Sequence, residues 1–307
     1  MTGEAFAVLA ALAYGVAGVA IVQGRPMARG DDGVFLSVLL TAALSCLLWL
    51  GWGGTTTGAQ LAPRDLMGAI LIFAVAGICS NGIGRQAMYW ATERIGAVRA
   101  GLLRRLTPLF VLPCAYLLLG EVPAPQTLLG SALVIAGVLI YVLPQTRAAT
   151  PAPNTPPKIS ANPFGLLLGT LSALAYALAF AFRGLGLDTL PDPTFGAMIG
   201  AFAGALALLA LALARKGLRD GLRHLSRDRQ AAHWLTALGL SAGQILQFFA
   251  LHSAPVVSVA LLGTLEVMFS AAIILLITKG ETVALRPLIL ASILSTAGTA
   301  ILLFAQA

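Results

Sequence analysis

Long apolar runs separated by short polar breaks dominate this 307-residue chain. They fall at roughly 4–23, 33–52, 66–90, 97–119 and 126–143, then at 163–183, 194–214, 231–251, 256–277 and 286–304. A helix needs about 20 apolar residues to cross the hydrocarbon of a bilayer. Membrane β-strands are shorter and alternate apolar with polar positions. These runs are long and apolar all round, so the pattern predicts an all-α polytopic membrane protein with ten transmembrane helices. The break at 145–162 holds Pro151, Pro153, Pro156 and Pro157 with Arg147 and Lys158 and has no apolar periodicity. It predicts a semi-extended linker between two halves, 1–144 and 163–307.

The halves resemble each other. Ala11-Leu12-Ala13-Tyr14-Gly15 in the first span is matched by Ala173-Leu174-Ala175-Tyr176-Ala177 in the sixth, and Leu119-Gly120-Glu121 is echoed by Lys279-Gly280-Glu281. A shift of 159 residues places Arg85 on Gln244, Tyr89 on Phe248, Trp90 on Phe249 and Phe110 on Phe269. Five spans is an odd number, so tandem copies must enter the membrane with opposite orientations. Charge provides an independent test. The connections after spans 1, 3, 5, 7 and 9 carry thirteen basic residues; those after spans 2, 4, 6 and 8, with both termini, carry Arg64 and Arg183 alone. Basic loops stay in the cytoplasm, which puts both termini outside and the 215–230 loop inside. Two inverted five-helix repeats are a transporter architecture, with the substrate site near the midplane at the repeat interface.

Composition sharpens this. Hydrophobic residues make up 58% of the chain and charged ones 10%, with a mean hydropathy of +0.90. A soluble domain carries about 25% charged residues, and ten spans leave no room for a separate catalytic domain. The net charge of +7 does not mark a nucleic-acid partner, because six of the nineteen basic residues sit together in one loop, from Arg215 to Arg229. Cys46, Cys79 and Cys114 lie inside apolar runs and read as small core residues. With no basic stretch before it, Gly3–Val22 reads as a retained membrane helix rather than a cleaved signal.

Family motifs add to this reading. The run Ala100 to Phe110 (AGLLRRLTPLF), followed by Leu117-Leu118-Leu119-Gly120-Glu121 and Leu129 to Leu139, resembles the EamA module of the drug/metabolite transporter superfamily. Leu261-Leu262-Gly263-Thr264-Leu265-Glu266 onward to Gly280-Glu281 is similar to the same motif, with Val267 where the family often has proline. The resemblance implies a five-plus-five helix carrier of small metabolites, without cofactor. Within the family, it points to the branch of aromatic amino-acid exporters of the YddG type.

Ionisable residues inside a span are default functional candidates, because a charge there needs a partner or a water-filled cavity. Glu266 lies about ten residues into the ninth span. It reads either as a cavity carboxylate for an ammonium group or a proton, or as half of an ion pair with arginine. Arg104 and Arg105 lie in the fourth span and point about 100° apart, so one of them can face the cavity squarely. Arg85 shares a face with Asn81 and with Met88 or Tyr89, and its repeat-mate face carries Gln244, Gln247 and Phe248. Such amides and an arginine would suit an amino-acid backbone. Tyr14 and Tyr176 are mid-helix, where an interfacial aromatic belt does not explain them; Tyr89 and Trp90 sit near a helix end, where it does.

Other signals point away from chemistry. Gly82-Ile83-Gly84-Arg85-Gln86-Ala87 fits a dinucleotide fingerprint as a string but lacks the strand–turn–helix setting. Gly196, Gly200 and Gly204 form a double GxxxG, with single copies at Gly165/Gly169 and Gly239/Gly243; all read as close helix packing within a monomer rather than a dimer face. Pro108 and Pro113 can kink the fourth span. His224, His233 and His252 are scattered and suggest no metal site. The expectation is an inner-membrane carrier, not an enzyme, that exports a neutral or zwitterionic solute by alternating access, an aromatic or neutral amino acid above all. An intramembrane lipid-modifying enzyme, an exporter of cationic drugs and a channel are the alternatives.

Overall fold

In this computed structural model, the described residues are 2–24, 34–51, 62–95, 103–104, 106–122, 163–214 and 231–277, with scattered positions between 125 and 140 and between 290 and 301. All regular structure among them is helical. The helices are α1 (Gly3–Gly24), α2 (Val34–Gly51), α3 (Pro63–Gly77), α4 (Arg85–Ile95), α5 (Thr107–Leu119), α6 (Pro163–Thr189), α7 (Pro193–Ala214), α8 (Ala231–Ser253), α9 (Val256–Leu262) and α10 (Glu266–Ile277). A π-helical segment, Ile78–Gly84, joins α3 to α4, and a 3₁₀ turn, Gly263–Leu265, joins α9 to α10. Five helices are long and apolar enough to cross a membrane, and shorter apolar ones accompany them. Leu47, Leu117, Leu206 and Leu213 are exposed, as lipid-facing side chains are. The chain is a multi-pass membrane protein.

Three expected spans differ from the observed helices. The sixth, expected to stop at 183, continues to Thr189, so Arg183 lies within α6 and is buried. It does not belong among the loop charges, and its removal leaves Arg64 alone on that side of the count. The ninth span is interrupted by Gly263–Leu265. The fourth is interrupted as well: Leu106 forms a turn and α5 begins afresh at Thr107. Thr107 Oγ donates to the Arg104 carbonyl and Thr264 Oγ to the Leu261 carbonyl, each at 2.6 Å, so a hydroxyl bonds the backbone at both breaks. The two breaks coincide under the 159-residue shift.

Packing is reciprocal between the halves. α1 lies along α8 and also against α10; α6 lies along the α3–π–α4 rod and also against α5; α2 meets α7. Small residues allow these approaches. A Cβ on Gly77 would fall 1.9 Å from the Gly200 carbonyl oxygen, one on Gly204 2.5 Å from Asn81 Cβ, and one on Gly239 2.9 Å from the Ala13 carbonyl oxygen. The GxxxG glycines therefore serve contacts within the chain. The main core gathers around Phe73 and Phe248, whose rings sit 6.1 Å apart at 57°. Gly186 and Gly196 make room for Phe73.

Helix ends fix relative sidedness. Gly3 at the start of α1 lies against Ala254 just past α8, and the Arg94 guanidinium near the end of α4 sits 5.3 Å from the Phe164 ring at the start of α6. Gly120, at φ +69°, ends α5 in the left-handed region, a conformation that suits glycine. Glu121 then turns its carboxylate onto α9, where it accepts the Val256 N–H at 2.9 Å and the Val257 N–H at 3.4 Å. A carboxylate there satisfies orphan donors at a helix N-terminus.

Candidate functional site

Halfway along α1 and α6, Tyr14 and Tyr176 are half-buried and make one contact twice. Tyr14 packs on Gly243 of α8, where a Cβ would meet its ring at 2.7 Å. Tyr176 packs on Gly84 at the end of the π segment, where a Cβ would meet its ring at 3.2 Å. Gly84 and Gly243 correspond under the repeat shift, so each half places its tyrosine on the glycine of the other. The Gly84 carbonyl accepts from Ser172 Oγ of α6 at 2.7 Å. That bond satisfies an acceptor at the end of the widened turn, and π segments of this kind are often found at functional sites.

Four charged groups surround this pair. Arg104 donates to Glu266 Oε2 at 2.8 Å, across the two helix breaks. The Arg104 guanidinium also lies 5.6 Å from the Tyr176 ring centroid, within cation–π range. Of the two readings of Glu266, the ion pair is the arrangement present, and Arg104 is its partner; Arg105 lies outside the described residues. Arg183 is 4% exposed. It donates to Gln247 Oε1, and to Ser80 Oγ at 2.9 Å, and its guanidinium lies 5.0 Å from the Phe248 ring centroid. Arg85, 8% exposed, donates to Ser37 Oγ of α2 at 2.6 Å. Beside it Thr41 and Ser241 share a hydrogen bond at 2.9 Å between α2 and α8.

The sequence-predicted residues thus fall into two groups. Tyr14, Asn81, Arg85, Tyr176, Gln244, Gln247, Phe248 and Glu266 all lie on helices facing this layer, while the Tyr89 side chain lies outside the described residues. Tyr14 is within electrostatic reach of Arg85, Arg104 and Arg183 together. Gln247 serves Arg183 rather than Arg85. Asn81 has neither amide atom hydrogen-bonded, and Gln244 Nε2, Gln86 Oε1 and Arg183 Nε are likewise buried without a partner. Buried polar atoms are ordinarily satisfied, so these side chains hold open hydrogen-bonding capacity. Arg183 and Ser80 were missed from sequence. The signal for Arg183 was its position at the edge of an apolar run followed by more apolar residues, Leu185 and Leu187. No group of three or more metal-ligating side chains occurs among the described residues.

Comparison with known proteins agrees with this architecture. Residues 1–143 match the EamA-like transporter family, so the first half carries an EamA-like domain. A crystal structure of a protein shares the fold with a TM-score of 0.69 at 15% identity, over 97% of this chain and 95% of the other. At that identity the likeness is one of fold. No curated protein matches the sequence.

Proposed function

We propose that this protein is a secondary carrier that moves small metabolites across the membrane by alternating access, with the Tyr14–Tyr176 layer as its substrate site. The EamA-like domain over residues 1–143 supports transport as the activity. The observation that carries the site is the concentration of three arginines, one glutamate and several unsatisfied amides around two half-buried tyrosines in the middle of the helices. A charge at that depth is expensive unless it faces a partner or a solute-filled cavity. Reciprocal packing and the matched breaks support the reading of 1–144 and 163–307 as inverted repeats around this site.

The substrate carries a carboxylate in this reading, because guanidinium groups and amide donors converge where it would sit. The aromatic amino acids expected from sequence fit the two tyrosines and the carboxylate donors. Their ammonium group has less support, since Glu266 already faces Arg104. Cationic drugs fit worst. A lipid-modifying enzyme would need a nucleophile or an acid–base cluster beside one interface, and these residues do not form one. Export from the cytoplasm across the inner membrane, by a monomer with both termini outside, completes the proposal.

Counterflow in proteoliposomes tests it. Labelled solute should enter against no net gradient when the vesicles are preloaded with unlabelled solute, and the flux should saturate. Unsaturable flux would make the protein a channel, and chemical turnover of the solute an enzyme. A reporter fused after Ala307 should behave as external; a cytoplasmic reporter would overturn the orientation.

A further inference from the structure

Among the described residues, the charges of the central layer do not balance. Among the described residues deep in the membrane helices, Arg85, Arg104 and Arg183 face one acid, Glu266. Glu266 accepts from Arg104, and those two charges offset each other. Arg85 and Arg183 remain. Their acceptors are neutral: Ser37 Oγ for Arg85, and Gln247 Oε1, Ser80 Oγ and the Phe248 face for Arg183. A guanidinium cannot shed its proton at any accessible pH, and an uncompensated buried cation is strongly unfavourable. Arg183 is within electrostatic reach of Arg85, Tyr14 and Tyr176, and Arg85 of Tyr14, so the excess lies in one place. Arg183 Nε, Asn81 Nδ2 and Gln244 Nε2 are buried donors with no acceptor, beside two buried acceptors with no donor, Asn81 Oδ1 and Gln86 Oε1. Positive charge and idle donors call for the same complement, an oxyanion.

We infer that the central site takes a small organic anion of net negative charge, whose carboxylate groups lie between Arg85 and Arg183 and whose body rests against Tyr14 and Tyr176. This rests on the carrier reading above and narrows it. A zwitterion brings no net charge and leaves the excess in place, and its ammonium would have to compete with Arg104 for Glu266. A net anion neutralises the layer and satisfies donors that are otherwise idle. The direction of transport then follows from charge. A cell interior is electrically negative, so the potential drives a net anion outward, and the carrier needs no coupling ion to export it.

Two matched series of probes separate the classes. Benzylmalonate, phenylalanine and phenethylamine share one aromatic skeleton as dianion, zwitterion and cation; propylmalonate, norvaline and butylamine share an aliphatic one. Binding to the purified full-length protein, read by thermal shift, should rank dianion over zwitterion over cation in at least one series, by about tenfold per step. Arg183→Gln and Arg85→Gln should each reduce the affinity for the malonate about tenfold or more and narrow that ranking. Glu266→Gln should sharpen it by releasing Arg104, whereas a site built for an ammonium would lose its ligand. In proteoliposomes, inward-negative potential should expel preloaded malonate faster than zero potential does. Tighter binding of the zwitterion or cation in both series would overturn the proposal and leave the carrier reading intact. Silence of all six probes would overturn the proposal together with the carboxylate-carrier reading beneath it. If an arginine variant does not fold, the ranking in the unsubstituted protein still decides.

Discussion

Tyr14 on Gly243 and Tyr176 on Gly84 are the same contact made in each half, whereas the charged groups beside them have no such twins. Arg85 has Gln244 as its counterpart, Glu266 has Thr107, Asn81 has Leu240 and Ser80 has Gly239. The frame is therefore repeated and the chemistry is not. Close approach depends on backbone shape, which a second copy supplies again at the related position. In the proposed carrier, one solute would lie between the two halves, and an asymmetric solute needs different groups on its two sides.

The largest expected effect comes from breaking the frame. Gly77→Ala would drive a methyl group to within 1.9 Å of the Gly200 carbonyl oxygen, and neither backbone can yield. Overpacking ordinarily costs about 1–3 kcal/mol, and a backbone-to-backbone clash belongs at or above the top of that range. The expected result is loss of folded protein on melting in detergent. Gly68→Ala, with nothing within 4 Å, is the matched control and should be neutral or slightly stabilising.

The twin contacts can be compared directly. A methyl group at Gly243 would meet the Tyr14 ring at 2.7 Å, and one at Gly84 would meet the Tyr176 ring at 3.2 Å. Gly243→Ala should therefore destabilise by about 1–3 kcal/mol and Gly84→Ala by less. Equal melting shifts would show that the two contacts are as alike in tightness as in position, against the 2.7 and 3.2 Å approaches.

The Arg104–Glu266 pair tests the asymmetric part. Breaking a fully buried pair costs about 3–5 kcal/mol; here the side chains are 34% and 13% exposed, so about 1–2 kcal/mol is expected for Arg104→Gln or Glu266→Gln alone. The double variant should recover much of that, because neither charge is left without its partner. Additive losses in melting experiments would show that the two groups act independently. Smallest is Glu121→Gln, which weakens the cap on α9 by about 0.5–1 kcal/mol. Its readout is faster hydrogen exchange at the Val256 and Val257 amides.

Much of the frame was legible in the sequence because length and apolarity are all a membrane helix requires. The paired tyrosines pointed to the repeat, and Glu266 was conspicuous as an acid inside an apolar run; the glycines beneath the tyrosines were not read as a pair. Arg183 was not legible, because a hydropathy boundary is drawn where a charge occurs, and its neutral partners Ser80 and Gln247 give no sign of holding one. The break at Gly263–Leu265 was equally hidden, since Leu262, Thr264 and Leu265 are as compatible with a continuous helix as with a 3₁₀ turn. Pro108 and Pro113 did point to the fourth span, though as a kink; the interruption lies before them, at Leu106.

The matched breaks at Leu106 and Gly263–Leu265 also have a mechanical meaning. A continuous helix resists bending because its hydrogen-bond ladder must stretch, while a rod already interrupted can flex at the gap with its flanking ladders intact. Each break is therefore a hinge, and α5 and α10 are the stiff levers beyond them. Arg104 stands just before one hinge and Glu266 just after the other, 2.8 Å apart. The ion pair is a crossbar between two levers in opposite halves, so flexing at one break would pull on the other.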